Sequence, residues 1–187
     1  MKGIIFTEFL DFVEKRSGYE TVDAILNKAD PPSGGTYTAV GNYPYAEMES
    51  LVSALVSASA ISAADLLEAF GKHLFGRFAR IYPLFFRDCH DPLDFLEMIE
   101  LRIHTEVLKL YPDAELPTIK TARLAEDVLR INYRSPRPLG ALCIGLIRGC
   151  GEYFGAPLKM RVSPADQGLD ITVRRVDANP SRVELRT

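Results

Sequence analysis

Apolar side chains follow two different periodicities along this chain, and the change between them separates a helical first part from a mixed second part. Up to about residue 111 the apolar positions recur three and four residues apart, as on one face of an α-helix. Beyond residue 116 they alternate with polar positions in short stretches, as in strands with one buried face. This order predicts an α+β fold, with an N-terminal helical subdomain and a C-terminal subdomain containing a small antiparallel sheet and a packed helix.

The helices of the first part are predicted from their apolar rows and from the residues that interrupt them. The first helix carries two such rows, so both of its sides are expected to be covered; the rows are Ile5, Phe9 and Phe12, and Phe6, Leu10 and Val13. Prolines and glycines at residues 30–35 break regular structure in a loop. Further helices are predicted at 21–27, 45–59, 64–80 and 92–111.

The second part of the chain is predicted to hold two strand pairs with a helix between them. Strands are expected at 118–124, 127–133, 157–163 and 169–176, and the helix at 139–154. A turn at Asp166-Gln167-Gly168 supports the last pairing. We expect one domain over residues 1–187, of which approximately 1–60 form the helical subdomain and 61–187 the α/β subdomain.

Charge and composition narrow the possible functions. A net charge of −3 offers no electrostatic footprint for nucleic acid. Glu8 and Asp11 interrupt the first apolar stretch, and no apolar run is long enough to cross a bilayer, so we expect a cytoplasmic protein without a membrane segment. The three cysteines lack a Cys-x-x-Cys pair, which favours reduced thiols over a disulfide framework or a zinc site.

His104 is the first candidate functional residue, and it lies within the helix predicted at 92–111. The main apolar stripe of this helix comprises Leu96, Ile99, Ile103, Val107 and Leu110. His104 falls between that stripe and a second apolar pair, Leu101 and Leu108, so its imidazole is expected to point inward. Glu100, one turn earlier, is a candidate partner for one ring nitrogen. A core histidine and a metal ligand both use such a partner, so both interpretations stay open.

The second candidate is the segment Tyr133-Arg134-Ser135-Pro136-Arg137. Side chains alternate faces in an extended segment, so Tyr133, Ser135 and Arg137 are expected to project together. A guanidinium beside two hydroxyls suits a carboxylate ligand. Pro136 and Pro138 cannot donate to a sheet ladder, which predicts that the strand leaves its sheet here. The alternative is a polar strand end that faces water.

Together these features resemble the heme nitric oxide/oxygen binding (H-NOX) family, as a bacterial stand-alone member. The resemblance covers essentially the whole chain, since family-like segments occur in the family's order and spacing: Met1 to Phe6, Ala69-Phe70-Gly71, the His104 helix, Pro117, and Tyr133 to Arg137. It implies a heme b cofactor with His104 as proximal iron ligand. It also implies that Tyr133, Ser135 and Arg137 bind the heme propionates, and that Pro117 presses on the porphyrin.

Protoheme is a large apolar disc with two carboxylates on one edge, so its pocket needs apolar walls as well as an axial base and an anion clamp. The row Phe70, Leu74 and Phe78 on one predicted helix could face such a disc. Spacing along the chain gives six candidate wall residues, namely Ile5, Phe9, Leu74, Phe78, Leu142 and Leu146.

The resemblance also suggests which gas is bound. Oxygen-binding members of the family carry a hydrogen-bonding tyrosine on the helix after the Tyr-x-Ser-x-Arg strand, whereas here Leu139 to Leu146 contain none and the first tyrosine is Tyr153. We therefore expect a sensor, not an enzyme, that binds NO and CO at ferrous heme with little O₂ binding. By resemblance, NO binding weakens the iron–His104 bond and releases strain at Pro117 and the first helix. The implied partner is a histidine kinase or a diguanylate cyclase on a separate chain.

Two other functions remain open at this point. A heme enzyme of the peroxidase type would need a distal acid/base and a cation, which His73 and Arg77 could supply. Their spacing puts them off the Phe70/Leu74/Phe78 row, so a solvated helix face is the expected location. A cofactor-free helical adaptor would use the Tyr-x-Ser-x-Arg segment as a surface anion site. No hydrolase nucleophile motif or phosphate-binding glycine loop is present in the sequence.

Overall fold

The structure is a computed structural model that describes residues 1–176. Its first part is helical, as predicted, with α1 at Gly3–Ser17, α2 at Tyr19–Ala29, α3 at Tyr45–Ala58 and α4 at Ala63–Ile81. Ser62 caps α4 by accepting a hydrogen bond from Asp65 N at 3.1 Å, which fixes where this helix begins. Within the described residues, no helix by itself is long and apolar enough to cross a membrane; α3 and α4 meet the criterion only as a pair, bent by 115°.

The helix that carries His104 is continuous but not uniform. It begins as α5 at Pro92–Met98, widens into a π-helical turn at Ile99–His104, and resumes as α6 at Thr105–Leu110. The Asp91 carboxylate caps its start by accepting from Leu93 N at 2.8 Å. Periodicity predicted one regular helix here. π-helical turns are rare and occur often at functional sites, because they rotate the side chains that follow.

The widened turn also corrects the predicted surroundings of His104. Leu101 is 84% exposed, and Leu108 and Leu110 are exposed as well. The second apolar pair therefore does not face the protein interior, and the end of the main stripe points to solvent. A helical wheel with 100° per residue fails here because the π-helical turn changes the angle between Leu101 and the residues after it.

The four predicted strands form one antiparallel sheet. They are β1 at Thr118–Ala125, β2 at Val128–Arg134, β3 at Leu158–Ala165 and β4 at Gly168–Arg175, in the order β1-β2-β4-β3. The predicted turn between β3 and β4 is confirmed, with Gln167 at φ 52°. β1 and β3 are the edge strands, so the outer N–H groups of β1 have no strand partner.

Two apolar cores share the helices α4 and α7, the latter at Gly140–Tyr153. The first core lies among α1 to α4 and the start of α7, and Phe6, Phe9 and Leu51 are fully buried there. The second core lies between the sheet, α5 and the other sides of α4 and α7. The cysteines Cys89, Cys143 and Cys150 are buried in the second core as free thiols. Burial raises the pKa of Cys143 to about 12, so this thiol is unreactive at neutral pH.

Close approach of α4 and α7 depends on glycine. A Cβ at Gly71 would overlap the carbonyl of Leu142, and a Cβ at Gly145 would overlap the carbonyl of Glu68. Because each contact is to backbone, neither helix can adjust by rotating a side chain. The two helices therefore pack backbone to backbone, which aligns the apolar residues on either side of the contact.

We predict that Gly145→Ala lowers the free energy of unfolding by about 1–3 kcal/mol, since the new methyl group must push α7 from α4. Gly76→Ala is the matched control: Gly76 lies in α4 with open space around its Cβ position. That change should raise stability by about 0.5–1 kcal/mol through helix propensity. Urea denaturation of both variants measures the difference, and equal effects would contradict the proposed backbone contact.

Candidate functional site

His104 lies at the end of the π-helical turn with its imidazole directed away from solvent. Its side chain is 15% exposed, and Nδ1 lies 3.0 Å from Glu100 Oε2. The predicted partnership with Glu100 is therefore confirmed. Because an ionised carboxylate can only accept, Nδ1 carries the hydrogen, and in the neutral imidazole Nε2 then carries the lone pair. Among residues 1–176 no protein group hydrogen-bonds to His104 Nε2, which leaves this nitrogen available to water or to a metal ion.

Glu100 also reaches the sheet. Its Oε2 accepts a hydrogen bond from the backbone N–H of Ile119 at 3.0 Å. Ile119 lies on the edge strand β1, and directly opposite it on β2 is Tyr133. The carboxylate therefore joins the helix that carries His104 to the strand pair that carries the predicted anion clamp.

The Tyr133 to Arg137 segment leaves the sheet as the prolines predicted. Strand β2 ends at Arg134, and both Pro136 and Pro138 are exposed. The Tyr133 side chain is buried, and that burial raises the pKa of its phenol, while the nearby Ser135 side chain partly opposes the shift. The Ser135 hydroxyl accepts a hydrogen bond from the Arg137 backbone N–H at 3.1 Å. Burial thus keeps the Tyr133 phenol protonated at neutral pH.

The Arg137 guanidinium has a partner that the sequence analysis did not anticipate. It donates to the backbone carbonyl of Glu115 at 3.0 Å and to the carboxylate of the same residue. It also lies over the Tyr45 ring, 5.9 Å from the centroid. The Glu115 side chain is largely exposed, so a ligand carboxylate could take its place without opening the core.

A cleft of about 680 Å³ opens beside Arg137. It lies between the start of the chain, the loop before α3 and the segment after α6, and it is lined by Met1, Asn42, Tyr43, Pro44, Tyr45, Asp113, Glu115, Pro136 and Arg137. Arg137 and the Met1 ammonium are the cations of this lining, so the cleft suits a carboxylate. Of the predicted site residues only Arg137 lines it; His104, Tyr133, Ser135 and the candidate walls do not.

The six candidate wall residues lie on α1, α4 and α7. Phe9, Leu74 and Leu142 are buried members of the first core, which they help to fill. The remaining candidates are Ile5, Phe78 and Leu146, which pack against that core but are only partly buried. These last side chains therefore retain apolar surface that a flat ligand could cover.

Pro117 lies in the segment that joins α6 to β1, and this segment is tied to the beginning of the chain. Lys2 Nζ lies 3.2 Å from Asp113 Oδ1 and 4.5 Å from the Tyr111 ring centroid. Asn42 donates to the second oxygen of Asp113. Polar contacts thus connect the segment after the His104 helix to α1 and to the loop before α3.

His73 and Arg77 do not lie on a solvated helix face, so that expectation is wrong. Arg77 donates from Nε and from a terminal nitrogen to the two oxygens of Glu8, at 2.5 and 3.0 Å. The Glu8 carboxylate is buried. His73 packs on the Phe12 ring, and burial lowers its pKa. Apolar residues on both sides of α1 bury this helix and place Glu8 against α4. Periodicity describes one helix at a time, so it does not reveal this contact between two helices.

Glu8 and His73, together with Asp11, place three possible metal-ligating atoms within 4.8 Å of one another. Both carboxylates are already paired with cations, because Arg77 bonds Glu8 and Lys15 Nζ lies 2.6 Å from Asp11 Oδ2. A divalent ion would have to displace both cations. The cluster is therefore best described as an ion-pair network between α1 and α4.

Sequence reasoning missed Glu115, Tyr45 and the bond between Glu100 and Ile119. Glu115 lies two residues before Pro117, in a segment with no periodicity to indicate its direction. Tyr45 begins α3 and is remote in sequence from Arg137. The one available signal was Glu100, whose spacing of four from His104 suggested that contact but not the contact to β1.

Comparison with known protein families identifies one match over most of the chain. Residues 2–162 match the model of the Haem-NO-binding family. A search of curated protein sequences gave no significant match.

Solved structures of H-NOX proteins are similar to this chain over nearly its whole length. The unliganded Fe(II) H-NOX protein from K. algicida is 35% identical, with a TM-score of 0.88, covering 95% of this chain and 97% of that chain. The Fe(II)CO H-NOX from Shewanella woodyi is 33% identical, with a TM-score of 0.83 and full coverage of both chains at 100%. The Fe(II)NO H-NOX protein from S. oneidensis is 25% identical, with a TM-score of 0.88, covering 95% and 100%.

The buried Glu8 carboxylate leads to a stability prediction. Arg77→Met should lower the free energy of unfolding by about 1–3 kcal/mol, because it leaves a buried acceptor without its cation. The double variant Glu8→Gln/Arg77→Met removes the charge as well and should recover part of that loss. Urea denaturation at pH 7 measures both. A double variant less stable than Arg77→Met would show that the pair acts through packing and not through charge.

Proposed function

Because the chain belongs to the Haem-NO-binding (H-NOX) family of heme-based gas-sensor domains, we propose that it senses NO through a ferrous heme b. H-NOX domains bind heme and diatomic gases such as NO and CO. The proposal for this chain is that it binds NO and CO, with little binding of O₂. It regulates a separate signalling protein of the histidine kinase or diguanylate cyclase class.

The observation that carries this proposal is the hydrogen-bond state of His104. Nδ1 donates to Glu100 at 3.0 Å, so Nε2 offers its lone pair, as neutral histidine ligands do in metal sites. A core histidine with both nitrogens satisfied would not leave Nε2 free. A bound heme, held by His104, would supply a ferrous iron that can take a diatomic gas.

Other residues of the chain are assigned to the remaining parts of a heme. We infer that Tyr133, Ser135 and Arg137 bind the propionates, with Arg137 exchanging the exposed Glu115 carboxylate for a propionate of like charge. Apolar contact is assigned to the candidate walls Ile5, Phe9, Leu74, Phe78, Leu142 and Leu146, and Pro117 is assigned to contact with the porphyrin.

The proposed selectivity for NO and CO rests on the apolar side chains of α7. Leu142 and Leu146 have no hydrogen-bond donor, and stable O₂ binding generally needs one near the open position, whereas NO and CO depend on it much less. Tyr153 is at the far end of α7 and half exposed, so its phenol is directed elsewhere.

The signal is proposed to pass from His104 to α1. When the bond to His104 weakens, the helix that carries His104 can move. The segment between α6 and β1, which contains Pro117 and the Asp113 contacts to Lys2 and Asn42, would move with it. Displacement of that segment would move α1 and the loop before α3. A partner that binds one arrangement better than the other then responds to the gas.

A peroxidase is the less favoured candidate. The Arg77 guanidinium, which would serve as the cation, is bonded to the buried Glu8 carboxylate. His73 Nε2, which would serve as the acid/base, lies 3.6 Å from Asp11 Oδ2 and has no hydrogen-bond partner among residues 1–176. Arg77 is not free to act on a distal ligand without breaking its pair with buried Glu8, and a peroxidase needs that cation as well as an acid/base. A steady-state peroxidase assay on the heme-loaded protein should therefore give only the background rate of free heme.

Absorption spectra test the proposed function directly. The reduced, heme-loaded protein should show a Soret band that shifts with CO and with NO and is unchanged under brief exposure to air. His104→Ala should lose the histidine-ligated spectrum and its response, whereas His90→Ala, at an exposed histidine, should not. A colourless wild-type protein after heme supplementation, or an unaltered spectrum in His104→Ala, would contradict the proposal.

The propionate assignment predicts the rate of heme loss. Arg137→Ala should release heme roughly 10- to 150-fold faster, the equivalent of one charge-assisted hydrogen bond of about 1.5–3 kcal/mol. Arg130→Ala, at an exposed position on the preceding strand β2, is the control and should have no effect. Glu115→Gln removes the competing carboxylate and should speed heme capture. Transfer of heme to an excess of apomyoglobin measures release, and equal rates for the two arginine variants would refute the assignment.

A further inference from the structure

A single carboxylate oxygen in this protein holds two groups from different elements. Glu100 Oε2 accepts from His104 Nδ1 and from the backbone N–H of Ile119, each at 3.0 Å. Glu100 and His104 lie near the two ends of the π-helical turn, and the Thr105 hydroxyl donates to the Glu100 carbonyl at 3.4 Å. The π-helical turn and the Thr105 hydrogen bond therefore hold the backbone of Glu100 in place relative to that of His104.

The first consequence concerns the imidazole. A carboxylate that accepts from Nδ1–H selects the tautomer with a lone pair on Nε2 and fixes the orientation of the ring. It also draws the Nδ1 proton toward itself, which raises the basicity of Nε2. A neutral acceptor at the same place would fix the tautomer but raise the basicity less, because it lacks the negative charge.

The second consequence concerns the sheet. Ile119 lies on the edge strand β1, where its outward N–H has no strand partner, and Glu100 satisfies it. Pro117 is two residues earlier on the chain, and Tyr133 is the directly opposite residue on β2. A shift of His104 that displaces Glu100 must therefore break or move a contact at the start of β1.

We propose that Glu100 is a positioning residue with a double role, which rests on the proposed function. Through His104 it sets the strength of the iron–histidine bond. Through Ile119 it transmits the position of that histidine to β1, and so to Pro117 and Tyr133. The negative charge carries the first role and the acceptor oxygen carries the second, so the two can be separated by substitution.

Two variants and one control distinguish these roles. Glu100→Gln keeps an acceptor oxygen but removes the charge, and Glu100→Ala removes both. Glu106→Gln is the control, since Glu106 lies on the same helix but pairs with Lys109 at 2.6 Å. The measurements are the iron–histidine stretching frequency by resonance Raman, heme affinity, the His104 tautomer by ¹⁵N NMR in heme-free protein, and amide hydrogen exchange of Ile119 in heme-free protein.

In Glu100→Gln the iron–histidine stretch should shift to lower frequency and NO should displace His104 faster, while the tautomer and the protection of the Ile119 amide remain. In Glu100→Ala the same spectroscopic shift should come with a mixed tautomer and faster exchange at Ile119. Heme affinity should fall roughly 10- to 100-fold in Glu100→Ala, as for other partners of metal-bound histidines. Glu106→Gln should match wild type in every measurement.

A stretching frequency in Glu100→Gln equal to that of wild type would overturn the first role. An Ile119 amide that exchanges equally fast in wild type and Glu100→Ala would overturn the second. Failure of the proposed function has a different signature, because the wild-type protein would then show no iron–histidine mode at all. The tautomer and the exchange rate, measured without heme, still decide in that case whether Glu100 links His104 to β1.

Discussion

The backbone contact between α4 and α7 is the constraint on which the rest of the structure depends. Gly71 and Gly145 allow the two helices to meet without intervening side chains. Both apolar cores are built on opposite sides of this pair, with the helical part of the chain on one side and the sheet on the other. A wider spacing would separate Leu74 and Phe78 on α4 from Leu146 on α7, and the proposed ligand walls with them.

Polar contacts around this apolar frame form a second, more easily altered layer. One path runs from His104 through Glu100 to Ile119 and β1. Another joins the segment after α6 to the start of the chain through Asp113 and Lys2. The Asp113 contact lies at an exposed position, where an ion pair is individually weak and can break and re-form at little cost, whereas the close-packed cores cannot deform gradually. This difference suits a protein whose proposed task is to convert a change at one histidine into movement of a helix.

Local pattern was sufficient for most of the fold. The helices, the four strands, the turn at Gln167 and the departure of β2 from the sheet near Pro136 followed from periodicity and from the conformational limits of proline and glycine. It failed where a local rule was broken by its surroundings. Leu101 lies in the π-helical turn and is exposed instead of buried. Arg77 binds the buried Glu8 carboxylate instead of facing solvent, as its spacing had suggested.

For the candidate site, the sequence by itself determined which residue types are present and their spacing: an inward histidine with a carboxylate four residues before it, and a Tyr-x-Ser-x-Arg strand end. Only the tertiary structure decided their partners, since Arg137 and Glu115 are 22 residues apart, and Arg77 and Glu8 are 69 apart. The physical reason is range. Periodicity reports how a segment meets an averaged apolar or aqueous environment, whereas an ion pair depends on the positions of two particular side chains, which only the packing of distant elements fixes.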